Sequence, residues 1–224
     1  MKPEERENSR YKKEDFCPIS REENIMFSLL SEYAKERRVP PKEIRILDIG
    51  CGSGRITEKL CRAGYQAIGI DFSEEAIRKA IARGLSAKQA NLDEGIPEPD
   101  SSFDVVWAGD VVEHVFDPIG LLKESNRVLK KNGIILITIP SDVGIVSRVK
   151  MLFGISHQEQ MYKKSGFYKH HTFFTPRLIR FMLEKSAFEI TRFHKVLILG
   201  KNRYRVDMLP SIFFNEIILC GKKL

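Results

Sequence analysis

The chain has only four cysteines, Cys17, Cys51, Cys61 and Cys220, with no CxxC pair and no regular spacing among them. That pattern supports neither a disulfide framework nor a zinc-finger type of site, and a reducing cytoplasm is the expected location. No apolar run approaches the roughly twenty residues needed to cross a bilayer. The opening "MKPEERENSRYKKEDF" mixes both charge signs, unlike a signal peptide. Internal repeats and low-complexity tracts are lacking too. What is present is 42% hydrophobic and 30% charged, the composition of a globular domain with one substantial core.

The net charge of +7 is unevenly placed. Residues 1–141 hold 22 Lys and Arg against 24 Asp and Glu, whereas residues 142–224 hold 15 against 6. The basic surplus therefore belongs to the last third. It fits either an anionic partner or a solvated basic face.

Residues 21–37 place Ile25, Met26, Leu29, Leu30 and Tyr33 at helical spacing before Pro40 and Pro41, which predicts an N-terminal helix. After it, strand and helix patterns alternate. "IRILDIG" (44–50), "QAIGID" (66–71), "SAKQANL" (86–92), "FDVVWAG" (103–109) and "IILITIP" (134–140) read as strands. Helices are expected over 53–64, after an N-cap at Ser73, and over 117–133. Strands separated by helices of this length imply a parallel sheet covered on both faces. The tail differs: after a helix at 175–188, two β-rich runs, 189–199 and 212–221, have no helix between them. They should pair as an antiparallel hairpin at the sheet edge. The expected fold class is thus α/β, a doubly wound, mostly parallel seven-stranded sheet with a C-terminal antiparallel hairpin.

"ILDIGCGSGR" (46–55) ends the first strand and opens the first helix, where open α/β sheets bind ligands. Asp71 ends the second strand, a position from which a carboxylate can accept both hydroxyls of a ribose. These features fit any adenosine ligand. A dinucleotide fingerprint starting at Gly50 would need its third glycine at position 55, which is arginine, and no GK[ST] follows for a Walker A loop.

"ILDIGCGSGR" with "IGIDFS" resembles motif I and the acidic motif of the class I S-adenosylmethionine-dependent methyltransferases, a Rossmann-like family. "NLDEGIPEPDSSFDVVWAGDVVEHVFDPIGLLKESNRVLKKNGIILITIPS" continues the resemblance, so that it spans about residues 44–140. Within that family the pattern is nearest the ubiquinone-pathway O-methyltransferases and methionine-biosynthesis W-like proteins. The resemblance implies S-adenosylmethionine as cofactor. Asp48 would orient the methionine ammonium, with Gly50, Cys51, Gly52, Ser53 and Gly54 against the methionyl and ribose portions. Asp71 would take the ribose hydroxyls and Phe72 the adenine face. Asn91 and Leu92 stand near the adenine amine, Asn91 replacing the usual aspartate, and Ala108, Gly109 and Asp110 border the methyl.

In "DVVEH" (110–114), one helical turn would aim Asp110, Glu113 and His114 in similar directions. Some members of the family bind a divalent metal through E-x-x-E-H there, with His170 or His171 available here as a further ligand. Asp110 is a methylene shorter than the glutamate of that pattern. The preferred reading assigns no metal and makes His114 the general base, since imidazole titrates near neutrality.

Residues 142–174 are expected as an acceptor-side lid inserted in a domain of residues 41–224, with residues 1–40 as an N-terminal segment and cap helix. Tyr168, His170, His171 and Phe173 are its candidate substrate contacts. Val143, Ile145, Val146, Val149, Leu152 and Phe153 beside Arg148 and Lys150 also suit peripheral contact with an acidic membrane. The expected activity is methyl transfer to a small molecule, an oxygen nucleophile on an apolar or anionic metabolite or lipid. A nucleic-acid methyltransferase using the basic tail and a noncatalytic cofactor-binding module are the alternatives. Both monomer and homodimer are open.

Overall fold

The computed structural model describes residues 21–141, 144–155, 170–199, 202–208, 210 and 213–224. Helix α1 covers Arg21–Arg37, followed by β1 (Arg45–Ile49), α2 (Arg55–Arg62), β2 (Gln66–Asp71), α3 (Glu74–Ala82) and β3 (Ala87–Gln89). Next come β4 (Phe103–Gly109), a 3-10 turn at Val112–His114, α4 (Pro118–Val128) and β5 (Leu129–Pro140). The remainder is α5 (Ile145–Leu152), α6 (Pro176–Lys185), β6 (Phe188–Leu199), β7 (Asn202–Arg205) and β8 (Glu216–Lys223).

The strands form a single sheet in the order β3-β2-β1-β4-β5-β8-β6-β7. Neighbours from β3 to β5 pair in parallel, whereas β8 runs antiparallel to both β5 and β6. The sheet therefore has eight strands where seven were expected. The additional one, β7, comes from the polar connection after β6 and pairs with β6 at the sheet edge. The expected antiparallel β6–β8 pairing forms, with β8 lying between β5 and β6.

Period-two alternation explains why the central strands are apolar throughout. Leu47, Val106 and Ile135 face one core, while Ile46, Val105, Trp107 and Leu136 face the other. On the first face α4 and α6 add Leu121, Leu122, Ile179 and Leu183. On the second, α1 lays down Met26, Leu29, Leu30 and Tyr33, the stripe anticipated from its spacing. Each such side chain contributes about 1.5–3 kcal/mol when fully buried. Glu23 of α1 also takes hydrogen bonds from Arg55, at 3.0 Å, and Lys59, at 3.2 Å, on α2. The N-terminal helix is thereby clamped to the helix that follows the glycine loop.

One helix and one strand end earlier than expected. The helix expected over 117–133 ends at Val128, because Leu129 adopts extended dihedrals and begins β5. The Lys223 ammonium donates to the carbonyls of Asn126 and Leu129, each at 2.7 Å, satisfying the exposed helix end from a strand nearly a hundred residues away. The third strand is only three residues long, since the chain turns at Asn91, where the Asp93 N–H donates to the Asn91 side-chain carbonyl. Ser73 and Thr175 cap as expected, accepting from Ala76 N and Leu178 N. Among the described residues no helix is long and apolar enough to cross a membrane.

Candidate active site

The carboxyl ends of β2, β1 and β4 lie side by side, with Asp48 opposite Gly69 and Trp107 in register. The loop after β1 must turn sharply there. Gly50, Gly52 and Gly54 take φ of 70°, 55° and 83°, the left-handed region that L side chains disfavour. Space is a second constraint at Gly50. A Cβ added there would sit 2.7 Å from Val111 Cγ2. Gly50→Ala should cost about 2–4 kcal/mol, combining left-handed strain and overpacking, and should appear as a lower urea midpoint without a change in m-value.

The loop is fastened to β2. The Cys51 N–H donates to Ile70 O at 3.0 Å, and the Gly52 N–H donates to Asp71 Oδ2 at 2.8 Å. The other oxygen of Asp71 accepts from Ser73 N at 2.9 Å. Each carboxylate oxygen can accept more than one hydrogen bond, so neither contact exhausts the capacity of Asp71. Cys51 is buried, and burial pushes its thiol upward, so it remains protonated and donates to Gly52 O. Ser53 is buried within the same loop, and Phe72 is half-buried beside Asp71.

Asp48 lies 3% exposed beneath the loop, accepting from the Thr57 hydroxyl at 2.6 Å. Burial pushes its carboxyl up to about 7; the Thr57 bond opposes the rise and the Asp71 charge adds to it. Between the ordinary value of 3.8 and about 7, the folded protein then holds a proton that the unfolded chain releases. Stability must fall as pH rises through that window. A series of thermal melts should show this slope in the wild type and a flatter profile in Asp48→Asn, which keeps an acceptor for Thr57.

Beyond β4 the backbone turns at Asp110, whose φ is 51°. Its N–H donates to Thr138 O, and the Thr138 hydroxyl donates to Asp110 Oδ1, each at 3.1 Å. Asp110 is thus bound to β5 and lies outside the 3-10 turn that carries Glu113 and His114. The expectation that Asp110, Glu113 and His114 share one helical turn is not met. Instead, Glu113, His114 and His170 bring one ligand atom each within 4.8 Å of one another. The convergence is made by the later segment, since His171 N–H donates to Glu113 O at 2.8 Å. The His114 and His170 rings meet edge to face, 4.9 Å apart.

The remaining expected contacts divide. Ala108 is fully buried and Gly109 half-buried at the end of β4. Leu92 packs against the core, and Asn91 is committed to its own turn, its amide donating to Glu94 at 2.9 Å. Asp93 reaches across to accept from Phe116 N at 2.7 Å, tying this turn to the segment after β4. His171 is exposed and stacks on Phe116, with centroids 4.1 Å apart, while Phe173 is half-buried. Tyr168 lies outside the described residues. Thr57, Thr138, Val111 and Phe116 were not singled out from the sequence. Their roles arise from contacts with distant segments, and no local pattern marks them.

The residues at the first βα turn fit an adenosine ligand bearing a cationic amino-acid tail. Three glycines leave the backbone uncovered, one buried carboxylate lies behind it, and a second retains acceptor capacity at the next strand.

Comparison with known proteins agrees. The family described as "Methyltransferase domain" matches residues 47–137. The chain is 40% identical over 103 residues to the ubiquinone biosynthesis O-methyltransferase of Pelagibacter ubique, covering 44% of this chain and 42% of that protein. It is 30% identical over 158 residues to the mitochondrial ubiquinone biosynthesis O-methyltransferase of Homo sapiens, covering 66% and 42%. The chain thus spans about two fifths of the length of these relatives. Among solved structures, a SAM-dependent methyltransferase of Methanosarcina mazei superposes with TM-score 0.65 at 25% identity, covering 88% of this chain and 97% of that one. A SAM-dependent methyltransferase of Thermotoga maritima gives 0.63 at 25% identity, with 88% and 90% covered. The matched domain, the doubly wound sheet and the glycine turn held by Asp71 together make the chain similar to the class I S-adenosylmethionine-dependent methyltransferases and support that reading of it.

Proposed function

We propose that the protein transfers the methyl group of S-adenosylmethionine to an oxygen nucleophile on an apolar or anionic small molecule. The observation that carries this reading is the turn after β1, where Gly52 N–H and Asp71 are joined at 2.8 Å above buried Asp48. S-adenosylmethionine supplies an electrophilic methyl group together with its own leaving group. The protein's work is therefore to hold and orient. Asp48 would hold the ammonium of the methionyl portion, and Asp71 the ribose hydroxyls. Gly50, Gly52 and Gly54 would admit the ligand against the backbone, with Phe72 and Leu92 on the apolar sides of the adenine. Ala108, Gly109 and Asp110 would border the methyl.

His114 would accept the proton of the acceptor hydroxyl as the nucleophile forms. Its ring is oriented by the edge contact with His170 and lies 4.0 Å from the Glu113 carboxylate. His170, His171 and Phe173 would contact the acceptor. They belong to the insertion of residues 142–174 within a methyltransferase domain of residues 41–224.

One observation favours a second reading of the same centre. The Glu113 carboxylate and the imidazoles of His114 and His170 form a donor set suited to a divalent cation. When bound, such an ion would supply Lewis acidity to the acceptor oxygen.

Incubation with radiolabelled methyl donor and a panel of hydroxyl-bearing and amine-bearing acceptors, with and without chelator, tests both readings. Label on the hydroxyl acceptors, insensitive to chelator, is the expected result. Chelator loss restored by a divalent cation would select the metal reading. Label confined to amines would overturn the assignment to oxygen.

A further inference from the structure

Helix α1 crosses β5 and β8, and a cavity of about 360 Å³ opens between its second half and strands β5, β8 and β6. Ile134 marks its place on the sheet, paired with Lys222 six residues before the carboxyl end of β5. At about 3.3 Å per residue, that is about 20 Å along the strand from the end that carries the candidate active site. The volume is that of a small-ligand pocket. Its floor is apolar, formed by buried Leu29, Tyr33, Ile134 and Cys220.

The strand wall is shaped by a bulge. The register between β6 and β8 shifts between Ile190 and Arg192, and Thr191 and Arg192 both line the cavity. An extra residue of this kind re-aims its neighbours. The Thr191 hydroxyl donates to Cys220 O at 3.2 Å, and the Arg192 guanidinium meets Glu32 and Glu36 of α1 at 3.6 Å and 3.9 Å. Both acids of the lining are thereby faced by one cation. Arg37 and Lys222 also line the cavity, and among the described residues neither forms an ion pair. The Arg37 guanidinium lies 5.9 Å from the centre of the Tyr33 ring. The Tyr33 hydroxyl has no hydrogen-bond partner among the described residues, and burial pushes its phenol up to about 12, so it keeps its proton as a donor. Three donors without acceptors, two of them cationic, thus surround an apolar floor.

We propose that this cavity binds a small molecule with an apolar body and an anionic group, a carboxylate or a phosphate. The body would lie on Leu29, Ile134 and Cys220, while Arg37, Lys222 and the Tyr33 hydroxyl take the anion. A cationic ligand is a poorer occupant, because Arg192 already serves Glu32 and Glu36 and the two remaining cations would repel it. An anion held by Arg37 and Lys222 would join α1 to β8. The first turn of α1 carries Glu23, which holds Arg55 and Lys59 on the helix after the glycine turn. Anion binding and cofactor binding should therefore strengthen one another. That consequence rests on the proposed cofactor site, whereas the anion site itself does not.

Isothermal titration of the full chain with phenyl phosphate and phenylacetate, and with benzylamine as a cation of similar size, tests the proposal. Both anions should bind at one site per chain with Kd of about 1 mM or below, and benzylamine should give no saturable heat. Arg37→Gln with Lys222→Gln should weaken both anions about tenfold or more, and Tyr33→Phe about threefold or more. Thermal melts close to that of the wild type would show that these variants are folded. The proposal is overturned if neither anion binds, if Arg37→Gln with Lys222→Gln leaves their binding unchanged, or if benzylamine binds as tightly. It is also overturned if S-adenosylhomocysteine displaces the anions, which would put them in the candidate active site. A saturating anion should raise the affinity for S-adenosylhomocysteine about fivefold, and an unchanged affinity would overturn the coupling through α1. Anion binding without any binding of S-adenosylhomocysteine would remove the proposed cofactor site and leave the anion site standing.

Discussion

Asp71→Ala should weaken S-adenosylhomocysteine binding by about 10²–10³-fold, because hydrogen bonds to a charged acceptor are worth about 1.5–3 kcal/mol each. The substitution also removes the acceptor for Gly52 N, at 2.8 Å, and for Ser73 N, at 2.9 Å. Both N–H groups belong to buried surroundings, so the glycine turn loses its fastening to β2 together with its ligand contact. Asp71→Asn separates the two effects. The amide oxygen can still accept from one N–H, and its thermal melt should recover much of the loss. Ligand affinity should stay low, since the amide carries no charge and offers fewer acceptor sites. If Asp71→Ala bound S-adenosylhomocysteine like the wild type, the ribose role of Asp71 would be wrong.

His114→Gln should lower kcat for a hydroxyl acceptor by about 10²–10⁴-fold, the usual contribution of a positioned general base. The affinity for S-adenosylhomocysteine should change little, because His114 lies in the 3-10 turn beyond β4 whereas the residues assigned to the ribose and the methionyl ammonium sit at the ends of β2 and β1. Glutamine retains a donor and an acceptor but cannot carry the transferred proton. A wild-type kcat in His114→Gln would eliminate it as the base. Were Glu113→Gln to fall as far as His114→Gln, with cation addition raising the wild type alone, the centre formed with His170 would be acting through a metal.

How much of this could be read from the sequence depends on how local each signal is. The turn after β1 was legible because three glycines at alternate positions, a preceding aspartate and a strand pattern all lie within ten residues. Asp71 was legible through its place at the end of the next strand. Ser73 and Thr175 announced helix starts by residue type alone, since capping joins a side chain to an N–H three positions on.

The illegible features all depend on distant partners. Helix α4 stops early where Lys223 reaches its last carbonyls, and nothing between 117 and 133 indicates that lysine. The place of β8 inside the sheet is decided by its ladder with β5, from Ile134 with Lys222 to Pro140 with Glu216. Asp110 leaves the expected helical turn because Thr138 holds it in a left-handed conformation. His170 enters the centre of Glu113 and His114 through a backbone hydrogen bond fifty-eight positions along the chain, from His171 to Glu113.

The central claim is that the turn after β1 holds a methyl donor and not a dinucleotide. Isothermal titration of the purified chain with S-adenosylhomocysteine, and separately with NAD, addresses it directly. One S-adenosylhomocysteine site per chain, lost in Asp71→Ala, with no heat from NAD, is the predicted result. Binding of NAD with none of S-adenosylhomocysteine would contradict the account.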